Sequence, residues 1–287
     1  MHQIIARDGT RIGYTVHGGG GPAVVLSNGI GCNEVFLRYL TEDLSRKFRV
    51  INWHYRGHMT SAVPADLSHT DIPHLIDDLK LVLDDAGVTT AVFAGFSMGV
   101  EVNLEFLRRH PGMVSALVMI CGPFEHCMKT FFHTPLLHHL YPLVLRAARK
   151  DPATFDRVWR LTIGGPLAFP CARVFIFNCG RVKRSDFLDY HPHITNIDKR
   201  LITEMAGYLT RHSARDLLPE VRVPTLIIAG TRDSFTPIRV CREMARMIPG
   251  ARLVEIQGGS HGTPIEFPDQ MNPSIVDFIE KLPLMRY

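Results

Sequence analysis

Three residues far apart in the chain have the types and surroundings needed for nucleophilic attack on a carbonyl: Ser97, Asp233 and His261. Ser97 is the centre of Gly95-Phe96-Ser97-Met98-Gly99, after the apolar run Ala91-Val92-Phe93-Ala94 and before a helix-like run that starts at Val100. A sharp turn from strand to helix strains the central residue and leaves no room for Cβ atoms two positions to either side, and both of those positions are glycine. Such a turn presents the serine above backbone N–H groups at a helix start, where an oxyanion can be held. A serine hydroxyl is a weak nucleophile near neutral pH. It needs an adjacent base, usually histidine, and a carboxylate that fixes the tautomer of that base and stabilises its cation. Asp233 ends Gly230-Thr231-Arg232-Asp233, and His261 lies in Gly259-Ser260-His261-Gly262. Each stretch follows a short apolar run.

The elements that must position these residues can be read from the pattern of apolar residues. Residues 3–6 and 11–16 read as a hairpin around Asp8-Gly9, and Gly18 to Gly21 as a flexible turn. Short continuous apolar runs at 23–26 and 49–53 read as strands buried on both faces, and 91–94, 116–120, 223–229 and 252–256 read as further strands. Helix-like segments at 34–48, 72–86 (stopped by Gly87), 100–110, 238–247 and 273–281 alternate with them. This alternation predicts a mainly parallel sheet covered by helices on both faces, with its ligand site beyond the carboxyl ends of the strands. Residues 122–218 break the pattern. They are rich in histidine, aromatic residues, proline and arginine, with helical pieces at 136–150 and 152–161, and they read as an inserted helical cap. The expected division is a core domain of 1–121 and 219–287 with a cap of 122–218.

Composition narrows the possibilities. The 287 residues are 46% hydrophobic and 21% charged, which predicts a substantial core and argues against disorder. The net charge of +4 is small, and the basic clusters at 146–150 and 181–184 read as solvated faces with no nucleic-acid motif beside them. Six cysteines form no C-x-x-C pair, and no apolar stretch reaches bilayer-spanning length. A protein with reduced thiols in the cytoplasm, without membrane insertion, is expected. Gly18 to Gly21 precedes a strand rather than following one, so it is not a dinucleotide-binding loop.

The serine turn, the strand ending in Asp233, Gly259-Ser260-His261-Gly262 and the order Ser…Asp…His together resemble the α/β-hydrolase fold over nearly the whole chain. Tyr55-Arg56-Gly57-His58 is similar to the Arg-Gly turn found after an early strand in that family. The resemblance implies Ser97 as nucleophile, His261 as general base and then acid, Asp233 as its orienting carboxylate, and the backbone N–H groups of Ile30 and Met98 as oxyanion donors. It implies no organic cofactor and no metal. Two departures stand out. Asn28-Gly29 replaces the His-Gly common in the oxyanion loop, which predicts different surrounding hydrogen bonds. His54 to Ser61 departs from the usual Asp-x-Arg-Gly-x-Gly-x-Ser, which bears on local packing rather than on the serine.

Serine at this turn separates the chain from dehalogenase-like and epoxide-hydrolase-like relatives, which use aspartate. A serine hydrolase acting on a small to medium, partly apolar carboxylic ester or lactone through an acyl-enzyme is the expectation. A C–C bond hydrolase and a cofactor-free perhydrolase use the same three groups, and Phe96-Ser97-Met98-Gly99 resembles the perhydrolases. A non-catalytic receptor on a hydrolase fold is the alternative from another class. Among other residues, Asp66, Asp71, Asp77 and Asp78 read as solvated or capping residues. Glu125 is an alternative acid. His54 and His58 lie near the rim, in contact with substrate or in a structural role. His126, His133, His138, His139, His191 and His193 fit no metal-ligand spacing.

Overall fold

A computed structural model describes residues 1–163, 165, 168, 177 and 180–283. Its centre is an eight-stranded sheet in the order β1-β2-β4-β3-β5-β6-β7-β8. The strands are β1 (His2–Ile5), β2 (Arg11–His17), β3 (Ala23–Ser27), β4 (Arg49–Trp53), β5 (Ala91–Phe96), β6 (Val114–Ile120), β7 (Thr225–Gly230) and β8 (Arg252–Ile256). β2 runs antiparallel to both neighbours, and every pairing from β4 to β8 is parallel. The chain leaves β3 toward β4 on one side and returns to β5 on the other. β3 and β5 are therefore neighbours whose following loops diverge, the geometry that opens a crevice at the carboxyl end of a sheet.

The runs of β3 to β7 are buried on both faces because each face carries helices, whereas the edge strand β8 is half-exposed. Val25, Ile51, Phe93, Leu117 and Ile227 point into a core shared with α2 (Ile72–Asp85) and α3 (Met98–Arg109). Val24, Leu26, Val50, Ala94, Val118 and Ile228 point the other way, toward α1 (Arg38–Ser45) and the Pro268–Glu280 helix. Asp71 caps α2 by accepting from His74 N at 3.1 Å, and Gly87, at φ +65°, ends the segment.

Several expectations shift. The segment expected to be one helix over 34–48 begins as a 3-10 turn, Glu34–Leu37, before α1 takes over. The closing helix starts at Pro268 rather than Pro273. Either proline fits a first helical position, but Pro273 lies inside the helix on an exposed face. Asp78 is not solvated: it is 1% exposed and receives Arg56 Nε and Nη2 at 2.6 and 2.8 Å, while Asp8 takes the remaining side of the guanidinium. Asp78 lies at the flank of the apolar stripe of α2, and only a buried partner makes its burial tolerable. Between β6 and β7 lie the helices Leu136–Lys150, Pro152–Thr162, Arg184–Asn196 and Lys199–Arg211. Cys171 and Cys179 lie outside the described residues, and Cys32, Cys121, Cys127 and Cys241 are buried free thiols. Among the described residues, no helix is long and apolar enough to cross a membrane.

Candidate active site

The turn after β5 has the geometry its sequence demands. Ser97 sits at φ +53° and ψ −117°, at the N-terminus of α3. A Cβ at Gly95 would collide with the Gly99 carbonyl, and one at Gly99 with the Ser27 carbonyl. Only glycine fits at either position. The strain at Ser97 is held by backbone bonds on both sides, Ser97 N to Ile120 O and Val100 N to Ser97 O, each 3.0 Å.

Asp233 and His261 arrive from the ends of β7 and β8. His261 Nε2 lies 3.1 Å from Ser97 Oγ, and its Nδ1 lies 3.0 Å from Asp233 Oδ2. The carboxylate accepts, so Nδ1 carries the proton and Nε2 is free to accept from the serine hydroxyl. Asp233 has no exposed side-chain surface, and its Oδ1 accepts from Phe235 N at 2.8 Å and Thr236 N at 2.9 Å, which fixes its orientation. The loop carrying His261 is braced by the buried Glu266. Its carboxylate accepts from Ser260 N at 2.9 Å and from Ser260 Oγ, which in turn accepts from Gly262 N at 3.1 Å. Glu266 as a brace was not evident from the sequence. A glutamate six residues after Ser260 gives no local signal, and only the short Thr263–Glu266 helix folds it back.

The loop after β3 runs beside the serine, because Ser27 pairs in register with Gly95. A Cβ on Gly29 would lie 3.2 Å from Ser97 Cβ. Asn28 closes the loop on itself: its Oδ1 accepts from Gly29 N at 2.9 Å and its Nδ2 donates to Asn33 O at 2.7 Å. Tyr55 Oη donates to Asn28 O at 2.7 Å. Among the described residues, the N–H groups of Ile30 and Met98 have no acceptor within the protein.

Other sequence candidates take different places. Glu125 pairs with Ser213 and Arg215, away from His261. His54 is buried between Glu34 and Thr60, at 3.0 and 2.8 Å. His58 is 1% exposed and faces the loop after β3 rather than a cavity. Burial pushes it down to about 4, leaving it neutral. Asp66 caps a short turn by accepting from Ser68 N, and Asp77 meets Arg109 at the surface. No three His, Cys, Asp or Glu side chains among the described residues are grouped to hold a metal ion.

Ser97 and His261 open into a cavity of about 420 Å³, within the range of small-molecule sites. Phe36, Phe131, Phe177, Phe187, Tyr190 and Phe235 line it, and none of its described lining residues is Asp, Glu, Lys or Arg. Cys32 also lines it, but burial pushes that thiol up and keeps it protonated. A larger cleft of about 560 Å³, around Asp156 and Lys199, contains neither Ser97 nor His261.

Known proteins share the fold of this chain. A protein of Azorhizobium caulinodans that carries the name of a carbamate hydrolase, RutD, is 26% identical over 269 residues, covering 92% of this chain and 93% of that one. An esterase from Exiguobacterium antarcticum has a similar structure (TM-score 0.79, 22% identity, 97% of this chain and 98% of that one). So does an enol-lactonase from Burkholderia xenovorans (TM-score 0.72, 23% identity, 98% and 100%). At such identities the structural likenesses show the fold alone. Residues 15–268 match the sequence profile of the family described as alpha/beta hydrolase fold. With its mostly parallel eight-stranded sheet and that match over most of its length, the chain belongs to the alpha/beta hydrolase fold family.

Proposed function

We propose that this protein is a serine hydrolase that cleaves a small to medium, uncharged, partly apolar carboxylic ester or lactone. The observation that carries the proposal is the continuous hydrogen-bonded chain Ser97–His261–Asp233 at the mouth of an apolar cavity. His261 Nε2 takes the hydroxyl proton as Ser97 Oγ bonds to the carbonyl carbon, and the carbonyl oxygen becomes an oxyanion held by Ile30 N–H and Met98 N–H. The C–O bond to the leaving group then breaks, and His261 returns the proton to that oxygen. A water molecule, deprotonated by the same imidazole, attacks the acyl-enzyme and frees the acid and Ser97. Asp233 keeps its hydrogen bond from Nδ1–H and stabilises the imidazolium in both halves. Each oxyanion donor contributes about 3 to 4 kcal/mol to the transition state.

The division into a core of 1–121 and 219–287 and a cap of 122–218 belongs to the same proposal. It is supported by the cavity's walls: Phe131, Ile163, Phe187 and Tyr190 come from the inserted stretch, while Ile30, Phe36, Phe96 and Phe235 come from the core. An uncharged aromatic wall favours a neutral substrate, because an unpaired charge there would be desolvated without compensation. Carbamate hydrolysis is a second reading, favoured by the likeness to RutD along most of both chains. It uses the same attack on a carbonyl carbon.

The test is fluorophosphonate labelling of wild type and Ser97→Ala, followed by turnover of 4-nitrophenyl esters of graded chain length, a lactone series and a carbamate ester. Labelling at Ser97 that the alanine variant loses, with fastest turnover of short to medium esters or of lactones, is the expected outcome. Turnover confined to β-diketones favours a C–C bond hydrolase, and peroxide-dependent turnover favours a perhydrolase. Absence of labelling and turnover in the folded wild type would leave a binding protein. Equal activity in Ser97→Ala would remove the serine mechanism.

A further inference from the structure

We infer that His58 is a positioning residue that holds the oxyanion loop in its working shape by accepting a hydrogen bond from Gly31 N–H. The inference rests on the serine-hydrolase reading of the site.

The tautomer follows from the partners. His58 Nδ1 lies 2.9 Å from Arg56 O, a carbonyl that can only accept, so Nδ1 carries the proton. Nε2 is then a lone pair, and it lies 2.9 Å from Gly31 N, which can only donate. The neutral ring of His58, packed edge-on against Tyr55, is thus a fixed acceptor beneath the loop.

What the acceptor fixes is the orientation of Ile30. Each peptide unit is rigid, so a residue's N–H is set by the unit before it and its exit direction by the unit after it. The unit joining Gly29 to Ile30 is held through its carbonyl, which accepts from Cys32 N at 3.2 Å. The unit joining Ile30 to Gly31 is held through its N–H, by His58. Gly31 turns the chain at φ +68° immediately afterwards. Among the described residues, the N–H groups of Gly29, Gly31 and Cys32 are all engaged, and that of Ile30 alone in this stretch has no acceptor. His58 occupies one of the competing donors and so leaves the Ile30 donor for the oxyanion. Without the acceptor, the Gly31 amide is buried and unpaired, and the loop relaxes by turning it, which rotates the neighbouring units.

The test compares two variants. In His58→Gln the carboxamide oxygen reaches about where Nε2 lay, whereas in His58→Asn it ends one carbon short. The measured quantity is the rate of fluorophosphonate labelling at Ser97, in which the serine oxygen bonds to phosphorus, fluoride leaves, and the phosphoryl oxygen gains negative charge where an ester oxyanion would form, whatever the natural substrate. It is paired with kcat and KM for 4-nitrophenyl butyrate and with the melting temperature. The Asn variant is expected to label about thirtyfold more slowly than wild type and to lose kcat by a similar factor, with KM within about twofold. The Gln variant is expected to stay within about threefold of wild type. An Asn variant that labels at the wild-type rate, equal losses in both variants (of rate or of fold), or a loss confined to KM would each overturn the inference. If the wild type labels at Ser97 and the variants do not differ, only the role of His58 falls. If wild-type Ser97 is not labelled at all, the hydrolase reading falls and takes this inference with it.

Discussion

In the proposed mechanism His261 moves the proton of Ser97 while Asp233 orients the imidazole and stabilises its cation, so the three side chains act as one unit. Ser97→Ala and His261→Ala should each lower kcat by about 10⁶-fold, and Asp233→Asn by about 10⁴-fold, because the amide supports the wrong tautomer of His261. Neither Ser97→Ala nor His261→Ala should shift melting by more than about 2 °C, since neither side chain fills a core position or caps a helix. Steady-state kinetics beside a thermal melt of each variant checks both statements, and a variant that is inactive and also unfolded would not count. His58 contrasts with these residues. It is a titratable group close to the chemistry, yet its bonds go to backbone, and its expected effect reaches the reaction only through the placement of Ile30.

The elements set the positions of these groups, and two of their junctions carry specific costs. The close approach of β5, α3 and β3 at the serine turn leaves no room for a Cβ at Gly99, where it would strike the Ser27 carbonyl. Gly99→Ala should therefore destabilise the protein by about 3 kcal/mol or more and abolish labelling of Ser97, as urea unfolding and the fluorophosphonate assay would show. The second junction is the buried pair of Arg56, in the turn after β4, with Asp78 on α2. Asp78→Ala leaves a buried guanidinium with Asp8 as its remaining anion, and should cost about 3 kcal/mol in the same unfolding experiment. A change under about 1 kcal/mol in either variant would contradict this account of the junction.

Across the whole molecule, the stretch between β6 and β7 is tied to the helix bearing the serine by a charge cluster. His212 places Nδ1 at 3.0 Å from Glu101 and Nε2 at 3.1 Å from Glu105, and Arg108 also pairs with Glu105. Burial alone would pull His212 down, but hydrogen bonds and charges from the two glutamates outweigh it and lift the group to about 9. Because the folded value lies above the unfolded one, the stabilisation is complete below about pH 6.5 and is lost as pH rises through about 9. His212→Gln should melt about 5 °C below wild type at pH 6, and the gap should narrow by pH 10. A gap that is constant across that range would show that the cluster contributes through packing rather than charge.

Local chemistry made much of this protein legible in its sequence. A glycine-flanked serine between an apolar strand and a helix can adopt few backbone shapes, and alternating buried runs force a parallel sheet with its loops at one rim. For that reason Ser97, Asp233 and His261 could be singled out together with the fold, and the structure brings the three side chains within hydrogen-bonding distance. The sequence could not reveal which side chains meet across the loops. His58 under Gly31, Glu266 behind Ser260 and Asp78 against Arg56 are contacts between segments whose separation carries no periodic signal. Periodicity reports which face of an element is buried. Only the packing of the loops decides what a buried polar group touches there, since a lone donor or acceptor must find a partner wherever the folded chain supplies one.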